Sequence, residues 1–236
     1  MRVPSESELL ALWEGGLARH PIDRALLLCA WARPDVPGDR CPSLPLGVVN
    51  VALLRMREAL FGRRVELQVR CEQCGEQLAV ELEIGQLLVD AQHGDDRREV
   101  EVGGCRFRVP DSRDLASVAG DMDADAAALR LLERCCIARP GGDAPSLPVL
   151  LNDAEDELEA ADPMADLRLA VSCGACGYRW DATLDAGALL WDEVQRHARR
   201  LLAEVDSLAR AYGWTEREVL ALSPQRRSAY LGLLGS

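Results

Sequence analysis

The sequence predicts an α+β fold, mainly helical, with small β-hairpins set between helices. Three observations predict it. Most of the chain repeats its apolar residues at steps of three and four, the spacing of one helix face. Twice the pattern switches to strict alternation, the period of a strand, at 65–84 and again at 167–184. Each alternating stretch is broken by the same phrase, Cys-x-x-Cys-Gly. It reads Cys71, Cys74, Gly75 in the first and Cys173, Cys176, Gly177 in the second.

The elements follow in order. Ser5 and Glu8 form a capping box that opens a helix ending near Gly15 and Gly16. Pro21 starts a second helix, with Asp23 in its first turn, running to about Arg33. A loop at 34–39 leads to a third helix over 48–61, closed by Gly62. Val65, Leu67 and Val69 then alternate with polar residues, as do Leu78, Val80, Leu82 and Ile84, which predicts strand, tight turn, strand. A further hairpin is expected at 99–102 and 105–109 around Gly103-Gly104. Helices follow at 110–120 and 123–137, a loop at 140–148, and a helix over 147–161 stopped by Asp162-Pro163. The second alternating pair comes next, with Leu167, Leu169 and Val171, then Tyr178, Trp180, Ala182 and Leu184.

Asp185 caps the longest helix. Its seam is Trp191, Val194, Ala198, Leu201, Val205, Leu208 and Tyr212, at alternating steps of three and four. Asp192 with Arg196 and Asp206 with Arg210 are favourable i,i+4 pairs, and Gly213 is the stop. Thr215 with Glu218 makes another capping box, and Ser223-Pro224 opens the last helix. The expected organisation is therefore N-terminal helices over 1–62 and two halves of one ribbon at 63–84 and 167–184. An insertion of hairpin and helices occupies 85–166, and C-terminal helices occupy 185–236.

Composition limits the function classes. The 236 residues suit one large domain or two small ones, and 48% hydrophobic content is enough for a real core. A net charge of −12 argues against a duplex-binding surface, which needs a dense cationic face. All 27 basic residues are arginine, so lysine-based chemistry is excluded. The N-terminus lacks a signal-peptide pattern and the strongest apolar run, 25–32, is too short to span a bilayer, so a cytoplasmic protein is expected. Nine cysteines in a reducing compartment favour metal ligation over a disulfide framework.

The repeated phrase is the strongest chemical signal. Two thiolates at this spacing ligate one metal, backbone N–H groups of the turn face the sulfurs, and the following glycine permits positive φ. One such knuckle gives two ligands, and tetrahedral structural zinc needs four. Cys71, Cys74, Cys173 and Cys176 are therefore the expected ligands of one structural Zn²⁺ in a four-cysteine zinc ribbon. The 98 residues between Cys74 and Cys173 must leave the ribbon and return to it. A redox Cys-x-x-Cys normally opens a helix, and here strands flank both motifs. Cys29, Cys41, Cys105, Cys135 and Cys136 read as small core residues.

The remaining signals point to structure. Asp121, Asp123 and Asp125 have EF-hand spacing, but Ala126 and Leu132 stand where glycine and glutamate belong, so the aspartates read as caps. His20, His93 and His197 are isolated, and His93 is expected in a polar loop. The acidic run 153–162 reads as a solvated helix face. No catalytic constellation is visible, and no enzyme is expected.

The C-terminal segment 204–234, EVDSLARAYGWTEREVLALSPQRRSAYLGLL, resembles the closing segment of the baseplate-hub assembly chaperone family of T-even-type contractile-tailed phages, and related sequences of phage-tail-like contractile injection systems. Leu208, Tyr212, Trp214, Glu218, Leu220, Leu222, Arg226, Arg227, Tyr230 and Leu231 carry the pattern. The segment LWEGGLARHPIDRALLLCAWA at 12–32 is similar to bacterial members of that group, as are two knuckles separated by a helical insertion. The resemblance implies a non-enzymatic assembly chaperone or component of a baseplate hub. Its partners would be baseplate or hub proteins, and it would be cytoplasmic or carried into the particle. Tyr212, Trp214 and Tyr230 are expected to hold the last helices together, with Arg226 and Arg227 on an outer face that meets a partner. A nucleic-acid-binding zinc ribbon and a thiol-redox protein remain the alternatives.

Overall fold

A computed structural model of the chain describes residues 3–93, 98–141 and 145–234. Part of the expected loop at 140–148, residues 142–144, lies outside them. The fold is α+β and mainly helical, as expected, with two apolar cores.

The larger core is built by four helices from opposite ends of the sequence. Helix α1, Glu6–Gly16, opens with the expected box, in which Ser5 N donates to Glu8 Oε2 at 2.8 Å. Helix α2, Pro21–Ala32, is capped by His20, whose Nδ1 accepts from Ile22 N at 3.4 Å. Helix α3 spans Leu46–Phe61. The long C-terminal helix, Ala186–Tyr212, lies against all three and shares one cluster with them, including Leu9, Leu28, Leu54, Leu190, Val194 and Leu201. Close approach explains Gly16, because a Cβ there would lie 2.4 Å from the Trp191 ring. Arg57, 3% exposed, forks onto Glu193 with two 2.8 Å bonds and gives a third, of 2.5 Å, to the Gly62 carbonyl. That bidentate pair ties α3 to the long helix with its charges satisfied.

Two antiparallel hairpins stand on this core. Strands β1, Arg64–Arg70, and β2, Gln77–Glu83, pair in the register Val69↔Leu78. The strand does not extend through Ile84, as expected from the alternation, because helix α4, Ile84–His93, starts there. His93 therefore closes a helix and does not lie in a loop. Ile84 keeps the apolar alternation in the sequence because it is fully buried in the core, at the first position of that helix.

The second core belongs to the middle of the chain. Strands β3, Glu99–Val102, and β4, Cys105–Arg108, form the expected hairpin. Helix α5 is Ser112–Val118 and helix α6 is Ala124–Cys135. The expected helix ends earlier than the pattern implied, because Cys136–Ala138 forms strand β5 beside β4. Helix α7, Leu147–Ala161, packs on the sheet, and Val100, Phe107, Leu132, Leu150 and Ala154 are buried together. Asp114, fully buried, is the hub of polar order here. It accepts from Arg108 Nη1 at 2.5 Å, Arg134 Nε at 3.1 Å and Asp111 N at 3.0 Å.

Strands β6, Arg168–Ser172, and β7, Arg179–Thr183, form the last hairpin. The long helix that follows is α8, capped by Asp185 and closed by Gly213 in the left-handed region at φ 70°. Helices α9, Glu216–Leu220, and α10, Pro224–Leu234, end the description. The expected Asp206–Arg210 pair forms at 2.8 Å. Arg196 departs from expectation: it turns to the Asp192 carbonyl and to Glu193, not to the Asp192 carboxylate. Glu193 is already fixed by Arg57, so its charge is the better-placed acceptor. The acidic run on α7 is solvated except at its end. There Asp162 is half-buried, accepts from Gly47 N at 2.9 Å and has its carboxyl pushed up by desolvation.

Candidate metal centre

Each hairpin presents two cysteines on its tip by the same local device. Cys71 N donates to the Glu76 carbonyl at 2.8 Å, and Gly75 N donates to the Cys71 carbonyl at 2.9 Å. In the second tip Cys173 N donates to the Tyr178 carbonyl at 2.8 Å, and Gly177 N donates to the Cys173 carbonyl at 2.9 Å. Gly75 and Gly177 have φ of 77° and 75°, a turn that an L side chain strains. The chain thus reverses tightly enough to bring both thiols of each knuckle to one side.

The two tips meet. The ligand atoms of Cys71, Cys74, Cys173 and Cys176 all lie within 4.8 Å of one another. The contacts cross between tips, with Cys71 Sγ 3.7 Å from Cys176 Sγ and Cys74 Sγ 3.6 Å from Cys173 Sγ. The first cysteine of each knuckle is buried, at 2% and 3% exposure, and the second is exposed. No disulfide joins any of the four.

Such a cluster favours partial ionisation. The Cys74 backbone N–H beside it draws the Cys71 thiol down to about 7. At Cys74 the Glu76 N–H works the same way, but desolvation and the neighbouring sulfurs prevail and push the thiol up to about 12. Cys176 is also raised: the Tyr178 N–H lowers it, and desolvation with Cys173 and Cys71 outweighs that. Four sulfurs in contact cannot all carry charge unless a cation sits between them. The donor set therefore fits one metal ion held by all four.

No protein-family model matches the chain, and neither a curated protein nor a solved structure does.

The expected partner-binding residues divide. Tyr212 and Trp214 stack at 4.7 Å, and Tyr230 meets both edge-on, at 5.6 and 4.9 Å. The three rings do join α8 to α10, as expected. Arg226 is exposed. Arg227 is not on the outside: its side chain is 3% exposed. It donates through Nε to Glu204 at 2.9 Å, through Nη1 to the Leu222 carbonyl at 2.9 Å and through Nη2 to Glu6 at 2.5 Å. Glu6 and Glu204 had no spacing in the sequence that pairs them with Arg227. Only the meeting of α1, α8 and α10 makes that site.

The remaining candidates are structural. Asp123 caps α6, accepting from Asp125 N and Ala126 N, and Asp121 pairs with Arg130. His197 packs edge-on against Phe61, with its pKa lowered by burial. Cys29, Cys41, Cys105 and Cys135 are buried as expected, and Cys136 is half-buried in β5. Among the described residues no helix is long and apolar enough to cross a membrane.

Proposed function

We propose that the four-cysteine cluster is a structural zinc ribbon in a non-enzymatic assembly protein. The observation that carries the zinc reading is the sulfur spacing. A tetrahedron with its centre about 2.3 Å from each sulfur has edges of about 3.8 Å. The cross-tip distances of 3.7 and 3.6 Å fit that edge. Strands flank both motifs, where a redox Cys-x-x-Cys opens a helix, and that counts against the redox alternative. Four protein ligands leave no open position for a substrate, which makes the role structural. Nothing observed favours the nucleic-acid alternative over this reading.

The assembly reading rests on the C-terminal resemblance to baseplate-hub chaperones of contractile tails. The surface we assign to a baseplate or hub partner is Tyr212, Trp214, Tyr230 and the exposed Arg226. Aromatic residues and arginine are the commonest anchors of protein interfaces. The test has two parts. Elemental analysis of protein purified without chelator should give one zinc per chain, and a value near zero sinks the ribbon. Co-purification with the products of neighbouring genes should bring a tail or baseplate protein along. Its loss in Arg226→Ala, with folding intact, would place the contact at this end of α10. Normal capture by that variant removes Arg226 from the interface.

A further inference from the structure

The two hairpins are not the only matching parts of the chain. Val3-Pro4-Ser5 with Glu8-Leu9 corresponds to Val109-Pro110-Asp111 with Asp114-Leu115, always 106 positions on. Both are observed capping boxes, and α1 and α5 start at corresponding residues, Glu6 and Ser112. At the same offset Cys29, Ala32, Arg33 and Pro34 match Cys135, Ala138, Arg139 and Pro140. The tetrapeptide Pro-Ser-Leu-Pro stands before α3 at 42–45 and enters α7 at 145–148. Asn50 and Ala52 then match Asn152 and Ala154 at an offset of 102, which the knuckles keep. Beyond the second knuckle Leu82, Gly85, Leu87 and Leu88 match Leu184, Gly187, Leu189 and Leu190.

The geometry follows the same offsets. Helices α3 and α7 each precede a hairpin, whose registers Val69↔Leu78 and Val171↔Trp180 are equivalent pairs. Helices α4 and α8 start at equivalent residues, Ile84 and Ala186. Burial agrees at Cys29 and Cys135, at Val65 and Leu167, and at Leu88 and Leu190, and differs between Leu9, which is buried, and Leu115, which is exposed. A single phrase repeated by chance would not carry helices, caps, register and burial along with it. The β3–β4 hairpin lies between the two series, and α9 and α10 lie after them.

We infer that the chain is two tandem copies of one helix–helix–helix–hairpin–helix unit, and that the cysteine centre is the joint between the copies. Each copy supplies an equivalent half, so the two hairpins are related by a local pseudo-two-fold axis through the centre. The helices do not follow that axis, since α8 packs on α1, α2 and α3 while α4 packs mainly on α3 of its own copy. The crossed contacts are equivalent to each other under such an axis. The first cysteine of one tip meets the second of the other, and the reverse contact has nearly the same length, 3.7 against 3.6 Å. Exposure follows position within the knuckle and not the copy: Cys71 and Cys173 are inside, Cys74 and Cys176 outside. Two-fold interfaces place the same patch on both partners, and here one chain contains both.

The inference about the joint rests on the metal reading above, and its test separates the two. Two full-length variants are made, each carrying one tip twice. In one, residues 71–76 take the sequence of 173–178; in the other, 173–178 take that of 71–76. Cobalt(II) is the probe, read by stoichiometry and by the absorbance of a tetrathiolate site. Both variants are expected to bind one cobalt per chain with the spectrum of the parent. In single variants, Cys74→Ser and Cys176→Ser should lose the same share of cobalt affinity, and Cys71→Ser and Cys173→Ser should match each other. Losses that sort by copy, or a doubled tip that takes up no cobalt where the parent does, overturn the joint. A parent that takes up no cobalt overturns the metal reading instead.

Discussion

Arg227 and Arg226 are neighbours with opposite roles. Arg227 is buried against Glu6 and Glu204, so Arg227→Ala would strand two carboxylates that the fold has partly desolvated. Breaking a buried pair from one side costs about 3–5 kcal/mol; both acids keep 21% exposure, so the lower end is expected. Arg226→Ala changes an exposed side chain and should stay within about ±0.5 kcal/mol. Thermal or urea melts of the two variants decide it, and equal melts would mean the Arg227 network stabilises nothing. The sequence could not separate them. Both stand in the same Pro-Gln-Arg-Arg turn, and what distinguishes them is one acid 23 and another 221 residues away. The metal ligands were legible for the contrary reason: their chemistry is written locally, in a spacing that has few other uses.

At the scale of elements, α5 is held by one carboxylate. Burial alone would raise the Asp114 carboxyl, but hydrogen bonds from Arg108, Asp111 N and Arg134 hold it down at about 2. A group depressed in the folded state contributes stability above its unfolded pKa, near 3.9, and loses it as pH falls through the folded value. The melting temperature should therefore drop as pH falls from about 4 to about 2, and Asp114→Asn should flatten that part of the profile. An unchanged profile would show that the carboxylate is not what couples α5 to β4 and α6. At neutral pH the same variant should lose about 1.5–3 kcal/mol, the usual value of a hydrogen bond to a charged group. Elements of this kind were mostly readable: capping boxes, the paired glycines of the hairpins and the α8 seam all carry local signals. Helix α4 and strand β5 were not. Each begins without a spacer at the end of another element, so a run of apolar residues serves two periods at once. Tertiary packing decides where one stops.

The whole molecule limits how much the metal can do. Sequence separation alone assigns it the closure of a loop of 98 residues, a large entropy term. The fold closes most of that loop by other means. Val65 and Ile84, at the base of the first hairpin, share a core with Leu167 and Leu184, at the base of the second. Asn50 also donates to the carbonyls of Met164 and Ala165, and Arg57 grips Glu193 from the far side of the loop. With the bases pinned, the metal joins only two tips of a few residues each. Its binding energy should therefore appear as local order, not as the existence of the fold, unlike small zinc domains that unfold without metal. Removing the metal with a chelator, or by acidification that returns protons to the thiolates, should free the amides of Cys71, Gly75, Cys173 and Gly177 to exchange. Amides in α2, α3 and α8 should stay protected. Cys173→Ser should reproduce this pattern, with a lower melting temperature than Cys135→Ser, whose thiol is a core group and no ligand. Hydrogen exchange read by peptide mass resolves the two regions. If the helices lose protection together with the tips, the clasp holds up the whole chain and the pinned bases do not.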